Sequence, residues 1–209
     1  MSHYQLQKGL FILPTPYGAY HTVSTSRNSP EKKFLLKLLS QWRTPELTIS
    51  NIVDLTGLDE EPALDLFYQC QESQLLQGLN EVQIFPDKPL EETLPAHLDK
   101  LSISKKAMLA DNHGFYLANI GFEHDTAEEL AALSADIAMM HEKHERALQT
   151  FVGEESSAWA MVDAMGNSRI GFWPLYLKEH RFVLVLSGNS RLNQPALTTL
   201  IQSLCLRYM

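Results

Sequence analysis

The second half of the chain alternates between short apolar runs and long amphipathic stretches, a pattern that predicts a mixed α/β domain. Asp111-Asn-His-Gly114 predicts a tight turn between the first two strands, because these residue types tolerate a left-handed backbone. Thr126 and Glu129 have the spacing of a capping box and predict the start of a long helix. The predicted elements are strands over 106–110 and 115–118, a helix over 126–149, strands over 157–163, 169–177 and 182–187, and a closing helix capped by Asn193.

The first half of the chain predicts a small helical domain that ends in a strand. Thr56-Gly57 predicts a tight turn between its second and third helices. Three helices followed by a strand resemble a winged helix-turn-helix. Earlier, two prolines and Gly18 between two apolar runs predict a turn that joins two strands. The predicted elements are helices over 31–42, 48–55 and 59–76 and a strand over 81–85.

A segment rich in proline and charge separates the two halves. It runs from Pro86 to Ser102 and predicts a linker, with a short helix between Leu90 and Leu101. We therefore expect a winged-helix-like domain over 1–87, a linker over 88–101 and the α/β domain over 102–209.

The long helix is apolar on more than one side. We expect the stripe of larger side chains to face the helix's own sheet. The stripe of small side chains would let two backbones approach closely, which predicts a two-fold contact between two copies of the chain. Alternatively, alanine is present only for its high helix propensity. The first stripe holds Leu130, Leu133, Ile137 and Met140, and the second, the candidate dimer interface, holds Ala127, Ala131, Ala135 and Ala138.

The second half of the chain resembles the roadblock/LC7 family, chiefly in the segment MLADNHGFYLANIGFEHDTAEELAALSADIA. The resemblance rests on the Asp111–Gly114 turn, Ala118, Gly121 and the alanine-rich run 128–135, and it extends over roughly 100–209. It implies a roadblock/longin/profilin-like α+β fold, with a five-stranded antiparallel sheet and a long helix. It also implies homodimers that bind Ras-like small GTPases as regulators or scaffolds.

Composition narrows the classes of partner. The net charge of −8 argues against the neutralisation of a nucleic-acid backbone by the chain as a whole. Cys70 and Cys205 form no CxxC pair, so no disulfide framework or zinc knuckle is predicted, and Cys70 is expected to be a buried free thiol. The apolar run after the N-terminus is too short for a signal peptide, and no run approaches the length of a membrane span. We expect a cytoplasmic protein.

The acidic third predicted helix argues against DNA binding. Between Asp59 and Leu76 it contains five acids and no lysine or arginine, and the following segment adds Glu81. Recognition helices need basic side chains to reach phosphates and guanine edges. A cluster at Lys32, Lys33 and Lys37 is expected to be a solvated face. A transcription regulator, with the α/β half as its dimerisation or sensing domain, is therefore the alternative, and a non-enzymatic adaptor or regulator is the leading prediction.

No motif for catalysis or cofactor binding is present. The sequence has no GxSxG, GxxxxGK[ST] or GxGxxG pattern. His141 and His144, with Glu145 and His124 as possible extra ligands, could bind zinc, but they do not form HExxH and no second ligand cluster follows, so we expect no metal. A candidate partner surface is instead predicted on the strands, where aromatic residues are favoured. Its residues are Trp159, Phe172, Trp173 and Tyr176.

Overall fold

A computed structural model describes residues 6–85, 88–152 and 157–209. Two sheets and the helices around them account for most of these residues. In chain order the elements are β1 (Phe11–Pro14), α1 (Pro16–Val23), α2 (Pro30–Leu39), α3 (Ile49–Thr56), α4 (Glu60–Glu72), β2 (Leu76–Leu79), α5 (Leu90–Leu101), β3 (Ala107–Asp111), β4 (Tyr116–Ile120), α6 (His124–Val152), β5 (Trp159–Val162), β6 (Ser168–Leu177), β7 (His180–Ser187) and α7 (Pro195–Tyr208).

The larger sheet has five antiparallel strands in the order β4-β3-β7-β6-β5. Its elements follow one another along the chain as predicted, which confirms the α+β fold class. Strands β4 and β5 lie at opposite edges, so the helix between them must cross the whole sheet. Four inter-strand spacings amount to about 19 Å. Helix α6, with 29 residues, has a length of about 44 Å and crosses with several turns to spare.

The helix predicted between Leu90 and Leu101 is confirmed as α5, but the segment around it is wrongly predicted as a linker, because α5 is part of the core. Its leucines 90, 94, 98 and 101 follow helical spacing and are all buried. They join one apolar cluster with the sheet, α1 and α7. The single proline inside the helix, Pro95, does not interrupt it. The boundary predicted at residue 87 lies outside the described residues.

The predicted turn at residues 14–18 is also wrong, because α1 begins there. Pro16 occupies the first turn, where its missing N–H costs nothing, and the Thr15 hydroxyl accepts a hydrogen bond from the Gly18 amide at 2.9 Å. Gly18 is required at this place, since an added Cβ would lie 2.0 Å from the Leu75 carbonyl oxygen. The close contact ties α1 to the residue that precedes β2.

The helical region contains the three predicted helices as α2, α3 and α4, around a cluster that includes Phe34, Ile52 and Phe67. Its strand is β2 rather than residues 81–85, of which only Ile84 forms a bridge, to Arg43. Strand β2 pairs with β1, which precedes all three helices. The winged-helix assignment therefore stays a prediction.

Two helix starts differ from the predictions. Helix α6 begins at His124, so Thr126 lies inside its first turn and cannot act as the cap. Gln194 rather than Asn193 is the N-cap residue of α7. Among the described residues, none of the helices is both long enough and apolar enough to cross a membrane.

Candidate interaction surface

The stripe of α6 that packs against the sheet is the alanine stripe and not the stripe of larger side chains. Ala127, Ala131 and Ala138 are fully buried, and Ala135 is 9% exposed. The first three share a cluster with sheet side chains that include Met108, Phe172 and Val185. These side chains are bulky, so only small residues let the helix axis approach the sheet. The alanine stripe is therefore the contact of α6 with its own sheet, and the prediction of a dimer interface at these alanines is wrong.

The stripe of larger side chains is turned away from the sheet centre. Leu130 and Ile137 are half-buried and pack against the edge of the cluster under α6. Leu133 is 40% exposed and Met140 is 42% exposed. Positions 130, 133, 137 and 140 follow the i, i+3, i+7, i+10 spacing of one helix face. The described protomer thus leaves an apolar helix face partly in solvent.

Strand β5 continues this face on the sheet. Trp159 faces α6, and its indole Nε1 donates a hydrogen bond to Nδ1 of His141 at 3.1 Å. Met161 lies on the same side of β5 and is 62% exposed. The strand, Trp-Ala-Met-Val, has no charged residue or proline. In the part of the chain that the structure describes, no strand pairs with its outer edge. We call the surface formed by these residues the α6–β5 face; it consists of Leu130, Leu133, Ile137, Met140 and His141 on α6 and Trp159 and Met161 on β5.

An uncharged free edge strand is unusual in a soluble protein. Natural sheets protect such edges with very short strands, bulges, charges, prolines or a covering element, because unpaired N–H and C=O groups recruit other strands. Strand β5 has only four residues and a register shift between Met161 and Val162, but it carries no charge and no proline. The opposite edge, β4, packs against α5. Sequence reasoning missed Met161 and His141 as members of the surface. The lack of charge in β5 was the available signal for Met161, while only the structure shows the contact of His141.

The four aromatic residues predicted as one partner surface do not lie together. Phe172 is only 1% exposed, because α6 covers it. Trp173 alternates to the other face of β6, where it packs against the cluster under α1, α5 and α7. Trp159 pairs with Phe172 across the two strands and belongs to the α6–β5 face. Tyr176 lies further along β6 than Phe172, opposite Arg181 of β7.

Paired charges surround the far end of α6. Nη1 of Arg181 lies 2.7 Å from Oε1 of Glu142, and Nε of Arg27 lies 3.6 Å from Oε1 of Glu145. Burial raises the pKa of Tyr176 to about 12, and the charge of Glu142 adds to that rise. Tyr176 therefore stays a neutral hydroxyl over the physiological pH range.

The remaining candidates for chemistry have structural roles. Oδ1 of Asp111 accepts hydrogen bonds from the amides of His113 and Phe115, and Asp163 caps the turn after β5 in the same way. Cys70 is buried as predicted, and burial raises the pKa values of the Cys70 and Cys205 thiols to about 12. Within residues 6–85, 88–152 and 157–209, no group of three potential metal ligands comes together.

The outward face of α4 is acidic. Glu61, Asp65, Tyr68 and Glu72 share it at helical spacing, and all four are exposed. The lysines of α2 were predicted to form a solvated basic face. For Lys32 this prediction is wrong, because its side chain is buried and its Nζ donates a hydrogen bond to the Thr25 carbonyl.

We predict that the chain shows no measurable affinity for duplex DNA even at low salt, because the outward face of α4 repels phosphates. Fluorescence anisotropy with a labelled random duplex at several salt concentrations measures this. Tight binding that weakens steeply as salt is added would instead favour the transcription-regulator alternative.

An open groove of about 920 Å³ lies between α5 and α7. It combines basic Lys88 and Arg207 with acidic Glu91 and Glu92, so its charge favours no single class of ligand.

Two solved structures are similar to the chain. The roadblock/LC7 domain from Streptomyces avermitilis is 10% identical with a TM-score of 0.36, and the match covers 57% of this chain and 93% of that one. Myxococcus xanthus MglB is 18% identical with a TM-score of 0.34, over 60% of this chain and 90% of that one. No family model matches the sequence, and no curated protein is similar to it. The class of the fold therefore rests on the order of its elements and strands.

Proposed function

We propose that this chain is a cytoplasmic, non-enzymatic adaptor or regulator that works as a homodimer. The α6–β5 face is the observation that carries the proposal. It combines a partly exposed apolar helix face with an uncharged free edge strand, and both features are stabilised when a second copy covers them. The alanines that were first expected at the interface have no part in it, since they lie inside each protomer.

A two-fold axis beside β5 would make the surface complementary to itself. Two β5 strands would pair edge to edge, and the two α6 helices would meet along Leu133, Ile137 and Met140. Main-chain hydrogen bonds would then satisfy the free edge of each sheet. The burial of apolar side chains would supply most of the free energy of association.

The partner class follows from the resemblance to the roadblock/LC7 family, which implies a Ras-like small GTPase. This part is tested with purified Ras-like GTPases of the source organism, loaded with GDP or a non-hydrolysable GTP analogue, by interferometry. Binding that depends on the nucleotide supports a regulator, and binding to both forms supports a scaffold. If none of these GTPases binds, the proposed partner class is wrong, and the homodimer is tested by itself.

We predict that Met140→Glu separates the dimer. A carboxylate in an apolar contact must lose its hydration without gaining a partner, and the substitution occurs twice in a two-fold interface. We expect the dissociation constant to rise about 100-fold, as measured by analytical ultracentrifugation over a dilution series.

Met139→Glu is the matched control. Met139 is 53% exposed but points about 100° away around the helix, outside the stripe of Leu133 and Met140. It should leave the dimer intact. A wild-type chain that sediments as a monomer, or equal effects of the two substitutions, would contradict the proposed interface.

A further inference from the structure

Helix α6 continues for several turns beyond its apolar contact with the sheet. Ala138 is the last of its residues in the cluster under the helix, and from Met139 onward none of the α6 side chains that the structure describes is buried. The contacts of this later part with β5, β7 and the segment between α1 and α2 include a hydrogen bond and ion pairs. Phe151, in the last turn, is 86% exposed. We call residues 143–151 the arm of α6.

Phe151 extends the apolar stripe of the α6–β5 face. It follows Leu133 by 18 residues, which is five full turns of an α-helix, so the two side chains point in the same direction. Ile137 lies near the middle of α6, which spans 124–152. The stripe reaches from Ile137 towards both ends of the helix, to Leu130 on one side and to Phe151 on the other. Such a stripe can cover an identical helix that runs in the opposite direction.

The two-fold axis proposed above makes the two α6 helices antiparallel. Both helices lie on the same side of the joined sheet only if the axis is perpendicular to the sheet. Such an axis reverses the direction of every element that lies flat on the sheet, whatever its angle to the strands. If the helices meet at Ile137, Phe151 lies about 21 Å from the axis along its helix, because each residue adds about 1.5 Å. Phe151 then lies beside residue 123 of the second copy, where the α6 helix of that copy begins.

The charges along α6 favour the same arrangement. The first half of the helix, residues 124–138, carries four acidic residues and neither lysine nor arginine. In the second half, both acids are paired with arginines of other elements, whereas Lys143 and Arg146 have no acidic partner in the part of the chain that the structure describes. Antiparallel helices place the basic end of each copy against the acidic end of the other, and parallel helices would place like charges together.

One pair of charges borders the stripe where the two copies meet. Glu129 lies one turn before Leu133, Lys143 lies one turn after Met140, and both charged side chains are exposed. In the antiparallel arrangement, Lys143 of one copy lies about 3 Å along the helix from the position opposite Glu129 of the other, a distance that a lysine side chain spans. Two-fold symmetry forms this pair twice.

We propose that the arm of α6 docks on the first turns of α6 in the second copy. Phe151 is covered there by that helix, and Lys143 pairs with Glu129 of the second copy. This proposal rests on the homodimer proposed above and adds that its helices pair along their full length, and not only around Ile137. It also gives α6 a reason to be longer than the crossing of its own sheet requires.

Exchange of the two charges tests the pairing by sedimentation over a dilution series. Glu129→Lys and Lys143→Glu should each raise the dissociation constant about tenfold, because each places like charges together twice in the dimer. The double variant should return to within about twofold of the wild type, since it restores the pair with its charges exchanged. Glu128→Lys combined with Lys143→Glu is the control. It has the same net charge, but residue 128 points about 100° away from residue 129 around the helix and away from the stripe, so pairing should not recover.

Phe151→Ala tests the apolar end of the arm. It should raise the dissociation constant about tenfold, because the second copy no longer has a phenyl ring to cover. Phe115→Ala, in the turn before β4 at the opposite edge of the sheet, removes another exposed phenylalanine and should leave the dissociation constant unchanged. A monomeric wild type overturns the proposed function and the arm with it. A dimer in which the double charge variant does not recover, or in which the two alanine substitutions have equal effects, overturns only the arm.

Discussion

Ala131→Arg should unfold the α/β region rather than separate two folded copies. Ala131 is fully buried between α6 and the sheet. An arginine there has no room beside Phe172 and no partner for its charge, and an unpaired buried charge ranks among the most destabilising changes known. We expect a loss of about 4 kcal/mol or more in the free energy of unfolding, which is a large part of the stability of a typical domain. Urea denaturation followed by circular dichroism measures it.

Ala132→Arg is the control for this experiment. Residue 132 is the next position on α6, and its side chain is exposed. The substitution should change the free energy of unfolding by no more than about 0.5 kcal/mol. If Ala131→Arg instead gave a folded monomer from a dimeric wild type, the alanines would face a second copy, and the packing of α6 described here would be wrong.

Leu98→Ala should cost about 3 kcal/mol of stability, although it lies in a segment with the composition of a linker. Leu98 is fully buried in the cluster that α5 shares with the sheet and α7. Removal of its side chain deletes apolar contacts and leaves a cavity that the rigid sheet cannot fill by moving. The midpoint of urea denaturation should fall while its slope stays the same.

Lys100→Ala, two residues further along α5, provides the comparison. Lys100 is exposed, and its loss should have little effect on unfolding. Equal and small effects of the two substitutions would indicate that α5 is a loosely attached connection rather than part of the core.

The element order of the α/β region could be predicted because each element has its own period. Strands such as β7 are short apolar runs between turn residues, and α6 repeats its apolar positions over several turns. The role of each α6 stripe could not be predicted in this way. Both stripes have helical spacing, and the choice depends on the space left by Met108, Phe172 and Val185, which belong to three different strands.

The assignments of a linker around α5 and of a turn at the start of α1 are errors with a common cause. In both segments, prolines were weighed more heavily than the spacing of apolar residues. Pro16 lies in the first turn of α1, where proline is well tolerated, and Pro95 lies inside a helix whose buried leucines compensate for one lost hydrogen bond. The bond between His141 and Trp159 joins a helix to a strand, and neither pattern alone predicts a contact between two particular side chains.

The position of α7 in the chain has a consequence for synthesis on the ribosome. Among the described residues, the cluster around Phe34 and Ile52 contains none beyond Leu76, so this cluster can assemble while the rest of the chain is still being translated. The sheet must wait, because α7 supplies Leu197, Leu200 and other buried residues to one of its faces and is made after every strand. A nascent chain that stalls before α7 would leave part of one apolar sheet face exposed, the kind of species that chaperones hold and proteases remove.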